Sequence, residues 1–364
     1  LAALALGLAG WLGSGSPLAG ARPLMPVDAV SLAAGLALMA AAFATVVLHR
    51  HRFAALVVVG AVGLIVALSF VKFSAPDLAL TQLSVEVVTI ILLLLALYFL
   101  PQQTPAEPAP GRHARDALLA GAAGLGMATL AWAVLTRPYT TIADYFLAHS
   151  LPDGGGRNVV NVILVDFRGF DTLGEITVLA LAGLAIFALI DHLHLDGRDR
   201  DDAGRPWDTD LHPAIMASLT RLLLPLALLV SVYILLRGHN LPGGGFIAGL
   251  VTAVALIMQY LANGVAWTHA RLPVDLHPVI SAGLALAALT GLASLAFGHP
   301  FLTSTFGHLD WPLVGDFELA SAMAFDLGVY LVVVGATLLI LIHLGLMHDA
   351  SHGPHESREP SWKP

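Results

Sequence analysis

Apolar segments long enough to cross a membrane recur along the chain, and they constrain its fold more than any other feature. We distinguish ten, separated by charged, glycine-rich or proline-rich connections. They cover residues 1–12, 27–48, 53–73, 77–100, 117–136, 159–190, 214–236, 243–263, 277–297 and 316–346. About 20 apolar residues span a bilayer core as a helix. Because the segments lack the polar–apolar alternation of a membrane barrel, the sequence predicts an all-α, polytopic transmembrane helical bundle.

The composition excludes several functions. The chain is 57% hydrophobic and 12% charged, where a soluble domain has roughly a quarter charged residues. Its net charge of −8 is spread over loops and tail, which gives no reason to expect a nucleic-acid partner. Without cysteine there is no disulfide, thiolate metal ligand or iron–sulfur ligand. The histidines lack metal-ligand spacing, and no nucleophile–base set or cofactor fingerprint occurs. We therefore expect no metal, no cofactor and no enzymatic activity.

The basic residues of the short loops predict the orientation. We expect the larger set to be cytoplasmic, together with the C-terminus, in a prokaryotic cell membrane. That set is Arg50, Arg52, Arg112, Arg115, Arg198, Arg200, Arg205, Arg271, Arg358 and Lys363, and the opposite set is Arg22, Arg137, Arg157 and Arg237. The chain opens at Leu1 inside an apolar run without a charged region before it, so we expect part of a longer chain rather than a signal peptide.

The helix predicted from Asp77 to Leu100 carries the strongest candidate for a functional acid, Glu86. Glu86 lies about 14 Å along the helix from Asp77 at 1.5 Å per residue, close to mid-membrane. A carboxylate there is costly unless paired or hydrated, and marks a functional site by default. Gln82, Glu86 and Thr89 share one helical stripe.

A partner for this acid could come from the preceding segment. Lys72 ends that segment, a tight reversal follows, and Asp77 is suited to an N-cap. Lys72 and Glu86 could share a proton while an ion passes. The alternative is a static buried ion pair that fixes helix register.

A second polar cluster lies in segment 159–190. Asp166, Arg168, Asp171 and Glu175 precede a long apolar run. Asp171 and Glu175 are like charges one turn apart, which is unfavourable without a partner. A proton, Na⁺ or a folded-over Arg168 would relieve the repulsion. The alternative is a hydrated helix end with ordinary surface charges.

The second half of the chain contributes two more clusters. In the string LRGHNLPGGGFIAG (236–249), a glycine-rich turn resembles a phosphate loop but lacks its Lys-Ser/Thr pair. We favour a helical-hairpin turn at an interface, formed by Arg237, His239, Asn240, Gly243, Gly244 and Gly245. Asp326 lies well inside the last apolar segment and is the most plausible ion-path acid of this half. Asp316 and Glu318 are expected at the outer end of that helix.

Several strings resemble a known family, the Mrp (Mnh) multisubunit Na⁺/H⁺ antiporter. SAPDLALTQLSVE (74–86) and VDFRGFDTLGEIT (165–177) look like the C-terminal part of its MnhA subunit. The string at 236–249 and FDLGVY (325–330) resemble its MnhB subunit. The resemblance covers nearly the whole chain. It departs from the usual pattern because the MnhB-like part is fused here and the antiporter-like N-terminal part of MnhA is absent or lies upstream.

The resemblance implies four modules. Residues 1–26 would end an antiporter-like portion, 27–105 and 106–205 would resemble connecting subunits of membrane-bound hydrogenase and complex I, and 206–364 would be an MnhB-like four-helix module. Polar stretches at 102–115 and 196–210 are the expected boundaries. The implied partners are the other subunits of the antiporter complex (MnhC to MnhG), the N-terminal part of MnhA, membrane lipid, Na⁺ and H⁺.

The same resemblance implies roles in monovalent cation transport and pH homeostasis. The candidate ion-pathway residues are Glu86, Lys72, Asp77, Gln82, Thr89, Asp166, Arg168, Asp171, Glu175 and Asp326. Two other functions remain open. The chain could be a structural scaffold with static acids, or part of the membrane arm of a redox-driven ion pump.

Overall fold

A computed structural model describes residues 2–15, 17–98, 110–190, 214–271, 273–311 and 315–350. Two expected module connections lie at least partly outside these ranges: all of 196–210, and residues 102–109 of the proline-rich one. The tail from residue 351 onward also lies outside them, together with Arg358 and Lys363.

The described residues form thirteen α-helices, one π-helix and two strands. The helices are α1 (Ala2–Gly13), α2 (Ala29–Leu48), α3 (Arg52–Lys72), α4 (Pro76–Tyr98), α5 (Pro110–Leu135), α6 (Ala143–His149), α7 (Val159–Val162), the π-helix (Ile163–Phe167), α8 (Gly169–Ile190), α9 (Ala214–Arg237), α10 (Gly245–Asn263), α11 (Val265–Arg271), α12 (Leu276–Ala296) and α13 (Ser321–Ala350). The strands are β1 (Phe306–Trp311) and β2 (Gly315–Ala320).

Eight of the described helices are long and apolar enough to cross a membrane. They are α2, α3, α5, α8, α9, α10, α12 and α13. Helix α4 adds 23 residues of similar character, with Asp77 in its first turn. The predicted all-α membrane bundle is therefore confirmed, and its ten expected segments agree approximately with the helices observed.

A β-hairpin before α13 corrects the sequence analysis. Strands β1 and β2 pair antiparallel, from Phe306 opposite Ala320 to Trp311 opposite Gly315. The prediction that Asp316 and Glu318 lie on the last helix is wrong, because both belong to β2. Helix α13 starts only at Ser321, whose N–H donates to the Thr305 carbonyl (2.8 Å). Two short strands add too little periodicity to stand out beside a 30-residue helix.

The segment predicted as one straight helix over 159–190 is interrupted. The π-helix separates α7 from α8, and the Arg168 N–H donates to the Ile163 carbonyl (2.7 Å), five residues back. The Thr172 hydroxyl donates to the Leu164 carbonyl (2.7 Å) and so uses an acceptor that the irregular turn leaves available. Such π-bulges occur frequently at functional sites. The interruption places Asp166 in the π-helix, separate from the acids on α8.

The described chain divides into two compact units. The first comprises residues 1–58 and 102–144. In it, the segment after α1 is fastened to the end of α5: the Gly20 N–H donates to the Thr136 hydroxyl (2.8 Å), and the Arg137 guanidinium donates to the Pro17 carbonyl (2.8 Å). The Arg22 N–H also donates to the Thr136 carbonyl (2.9 Å), which gives a partner to a backbone carbonyl at the end of α5.

The second unit comprises residues 59–101 and 145–364. Helices α8, α10, α12 and α13 enclose its core, and α13 is the most buried of the candidate spans. The largest fully buried side chains include Phe325, Leu338, Ile257 and Ile176. Glycines allow close helix approach in this core, because a Cβ at Gly283 of α12 would meet the Gly328 carbonyl of α13 at 2.7 Å. Small residues of this kind are typical of packed membrane helices.

Candidate functional site

Glu86 lies at the contact between α3 and α4. Its side chain is half-buried, and it accepts a hydrogen bond from the Gln82 amide (3.3 Å). The carboxylate faces Gly63 of α3, where a Cβ would overlap the carboxyl group. A glycine on α3 therefore makes room for the acid. Thr89, the third residue of the predicted stripe, is exposed.

Lys72 does not lie at the depth of Glu86. It is exposed in the last turn of α3, nine residues after Gly63, which corresponds to about 13.5 Å along a helix. Since Gly63 contacts Glu86, Lys72 is at the level of the reversal between α3 and α4. The structure therefore does not bring Lys72 and Glu86 together as the predicted proton-sharing or static ion pair.

Asp77 fastens the start of α4 to a distant turn. Its buried carboxylate accepts from the Gly243 N–H (2.9 Å) and from the Asn158 side-chain amide (3.2 Å). The same Asn158 amide donates to the Gly238 (3.0 Å) and Leu241 (3.1 Å) carbonyls. The predicted N-cap role of Asp77 is therefore wrong: it lies inside the first helical turn and binds another element.

Asp326 fastens the opposite end of the same turn, which we call the glycine turn (residues 242–245). Asp326 is 6% exposed and accepts from the Gly245 N–H and from the Asn161 side-chain amide (3.5 Å). Gly245 is the first residue of α10, and a helix N-terminus favours a negative charge. Gly244 has φ of +106°, a conformation that only glycine adopts readily.

The string before the glycine turn packs on residues 154–158. The His239 ring nitrogen Nε2 lies 2.9 Å from the Gly154 carbonyl, and the Asn240 side-chain oxygen accepts from the Arg157 N–H (3.1 Å). The Arg237 guanidinium lies 5.1 Å from the centre of the Tyr233 ring, a cation–π contact. All three side chains thus bind groups of this chain.

The acids of the interrupted helix are separated. Asp166 is half-buried in the π-helix and accepts from the Ser304 N–H (3.1 Å). Arg168 pairs with Asp171, and both are exposed, so the arginine provides the relief that the sequence analysis considered. Glu175 is exposed on α8, within a candidate span. A charged carboxylate in hydrocarbon is unfavourable in free energy. This face of α8 therefore requires contact with another protein surface or with water.

The structure thus unites residues of three of the four predicted clusters around the glycine turn, and none of the four charged residues of the second cluster is among them. Asp77 and Asp326 bind its N–H groups, and the start of the interrupted segment supplies Asn158 and Asn161. The sequence analysis did not select these asparagines. Asn158 carries a recognisable signal, since it is an N-cap residue whose side chain accepts from Asn161 N–H. That its amide binds the distant Asp77 could not be deduced from that signal.

Three family comparisons match successive parts of the chain. The MbhD family, described as a subunit of MBH, matches residues 37–102, and the MbhE family, likewise described as a subunit of MBH, matches residues 111–196. The family described as a domain related to the MnhB subunit of Na⁺/H⁺ antiporter matches residues 215–339. The glycine turn and Asp326 lie in the third match, whereas Glu86 lies in the first.

Curated relatives carry antiporter names. The chain is 44% identical over 333 residues to the probable K⁺/H⁺ antiporter A/B subunit of Rhizobium meliloti (strain 1021), which covers 84% of this chain and 33% of that protein. It is 48% identical over 131 residues to the Na⁺/H⁺ antiporter B subunit of Bacillus subtilis (strain 168), which covers 36% of this chain and 92% of that protein. The chain therefore spans a third of the Rhizobium relative and nearly all of the Bacillus relative.

A comparison with solved structures leads to the same family. The fold matches one chain of the Mrp complex from Dietzia sp. DQ12-45-1b with a TM-score of 0.84 and 34% identity, over 99% of this chain and 39% of that chain. Three findings point to the same family: the fold, the order of the three family matches and the near-complete coverage of the Bacillus relative. The chain therefore belongs to the Mrp (Mnh) family of multisubunit antiporter subunits, in which it joins the C-terminal part of MnhA to MnhB.

Proposed function

We propose that this chain is a membrane subunit of a multisubunit cation/proton antiporter and that Glu86 lies on its ion path. The observation that carries the proposal is the environment of Glu86. Among the residues that the structure describes, its hydrogen-bond partner is the neutral Gln82 amide. A half-buried carboxylate with a neutral partner can take up a proton or a cation and release it, whereas a carboxylate locked by a lysine or arginine is already compensated.

We assign Asp77 and Asp326 a different role. Both carboxylates are buried and bind backbone N–H groups of the glycine turn, which are fixed donors. Their geometry supports a structural function, in which they join the MnhA-like part of the chain to the MnhB-like part. This scaffold function is the second candidate for the chain, and it coexists with an ion path through Glu86.

The exposed acids of α8 support the proposal that other subunits contact this chain. Asp171 and Glu175 are exposed at the chain surface at or near the start of a candidate span. We propose that other components of the complex cover them, namely MnhC to MnhG and the antiporter-like N-terminal part of MnhA. The complex would lie in a prokaryotic cell membrane with the C-terminus of this chain in the cytoplasm, and the chain would act in transport without catalysing a chemical reaction.

The experiment uses membrane vesicles that contain the whole assembled complex. Dissipation of a pH gradient after addition of Na⁺ or K⁺ is compared between wild type, Glu86→Gln and the control Asp144→Asn, which changes an exposed acid in the first turn of α6. Testing both cations matters because relatives are named for each.

We expect Glu86→Gln to abolish exchange and Asp144→Asn to leave it unchanged, with both complexes intact on native gels. An intact Glu86→Gln complex with normal exchange would overturn the ion-path assignment and leave the scaffold function. Loss of assembly in Glu86→Gln would equally make Glu86 structural.

A further inference from the structure

A second feature of the molecule lies away from the acids, between α4, α9 and α10. These helices enclose an apolar cavity of about 330 Å³, which is within the usual range of ligand sites. Nine of its eleven lining residues are hydrophobic, and the other two are Ser84 and Thr220. The cavity is open at its rim, where Leu83 and Leu223 are each 45% exposed. It is therefore accessible from the hydrocarbon side of the bundle.

A basic and aromatic cluster lies at one end of this cavity. Thr220 lines the cavity, and the next residue on α9 is Arg221. Arg221 donates to the Asn263 side-chain oxygen (2.8 Å), and its guanidinium lies 4.6 Å from the centre of the Trp267 ring. Arg271 lies over the same ring at 3.7 Å. Two exposed guanidinium groups therefore share one indole.

Contacts between α9 and α10 place the cluster at one end of the cavity. The Gln259 amide of α10 donates to the Thr220 carbonyl of α9 and joins the two helices there. Asn263, which binds Arg221, is one turn further along α10 and ends that helix. The arginines therefore lie near the ends of the apolar spans: Arg221 is five residues inside the span that starts at Met216, and Arg271 follows the end of α10. Trp is typical of that boundary between hydrocarbon and water, and Arg is a usual anchor there.

From this arrangement we propose a binding site for one anionic phospholipid. An acyl chain fills the apolar cavity, and the phosphate lies at Arg221 and Arg271, with the Trp267 ring at headgroup level. Charge complementarity decides the occupant. Guanidinium groups bind phosphate oxygens through charge-assisted hydrogen bonds, and basic pockets between membrane helices bind anionic headgroups. A zwitterionic lipid has the same phosphate, but its own cationic headgroup balances that charge, and an apolar helix from a neighbouring protein brings no anion. An anionic lipid therefore matches the two guanidinium groups best.

The test measures lipid retained by the whole purified complex after detergent washing. Phosphatidylglycerol and phosphatidylcholine are quantified by mass spectrometry for wild type, the double variant Arg221→Gln/Arg271→Gln and the cavity-filling variant Val254→Trp. The matched control is Arg22→Gln, which removes another exposed arginine stacked on an aromatic ring, that of Tyr139 at 5.5 Å.

We expect wild type and Arg22→Gln to retain about one more phosphatidylglycerol per complex than either site variant. When lipid is added back, dioleoyl phosphatidylglycerol should bind wild type at least about tenfold more tightly than dioleoyl phosphatidylcholine, because each arginine near a headgroup adds to the attraction. This add-back comparison needs no variant, so the proposal can be tested even if a substitution prevents assembly.

Three results would overturn the proposal. The first is equal retention of phosphatidylglycerol by wild type and the double arginine variant, and the second is equal affinity for the two lipids. The third uses the absence of cysteine from this chain: a single Val254→Cys thiol that cross-links to a neighbouring protein of the complex would show that a protein helix fills the cavity. Modification of that thiol by a maleimide-bearing lipid, without protein cross-linking, supports the lipid.

Discussion

The Asp77 carboxylate should control the opening of the glycine turn. In Asp77→Ala, the buried Gly243 N–H loses its acceptor at 2.9 Å. The Asn158 amide keeps two carbonyl acceptors, so most of the cost arises at Gly243. A hydrogen bond to a charged group contributes about 1.5–3 kcal/mol, and a buried donor without a partner costs a similar amount. We take about 3 kcal/mol as the expected loss.

Hydrogen exchange of the assembled complex measures this loss directly, because local opening exposes the amides. At about 1.4 kcal/mol per factor of ten, Asp77→Ala should accelerate exchange in a peptide covering 238–245 about a hundredfold. Asp77→Asn keeps an oxygen acceptor and loses only the charge, so about 1 kcal/mol, or roughly a fivefold acceleration, is expected. Asp144→Ala, at an exposed acid in another first turn, is the control and should change nothing in this peptide.

The result that would refute this reasoning is slow, wild-type exchange of the 238–245 peptide in an assembled Asp77→Ala complex. The carboxylate would then not stabilise the turn. The hydrogen bonds of Asn158 and of the His239 backbone would stabilise it. Equal acceleration in the alanine and asparagine variants would instead locate the effect in the charge and not in the hydrogen bond.

Three further predictions follow from the same structure. Gly63→Ala places a Cβ against the Glu86 carboxyl group and should slow exchange in vesicles, while Gly121→Ala, which meets nothing within 4 Å, should not. Gly245→Ala meets the backbone oxygen of Asp326, which cannot rotate away, so its cost should reach or exceed about 3 kcal/mol, the upper part of the overpacking range; normal assembly and thermal stability would contradict this. The His277 N–H at 3.0 Å lowers the pKa of Asp275, the N-cap of α12. The stability that the charge of this cap adds should be complete above the ordinary pKa of about 3.9 and be lost as the pH falls through the lower folded-state pKa. The difference in thermal midpoint between wild type and Asp275→Ala should therefore shrink in strong acid to that between Asp275→Asn and Asp275→Ala, which should not follow this titration.

Length and hydropathy were sufficient to determine the class of this protein. Most of the long apolar runs became single helices, because in hydrocarbon every backbone group must be bonded within the segment. The exceptions are 159–190, which the π-helix interrupts, and 316–346, whose first residues belong to β2. For the same reason Glu86 could be selected from the sequence: a carboxylate deep in such a run is exceptional wherever the neighbouring helices lie. The resemblance strings indicated the family from residue identity alone.

Only the tertiary structure decided what each acid contacts. Helical periodicity places Asp77 at a helix start and Asp326 inside a helix, but it does not reveal that both bind the same glycine turn, 166 and 81 residues away along the chain. The sequence suggested Lys72 as the partner of Glu86, whereas the antiparallel packing of α3 on α4 places Gly63 there. Contacts between helices depend on their depth and rotation in the bundle, which are set by packing against neighbouring helices. The sequence therefore determined which residues are costly to bury, and the packing determined what compensates them.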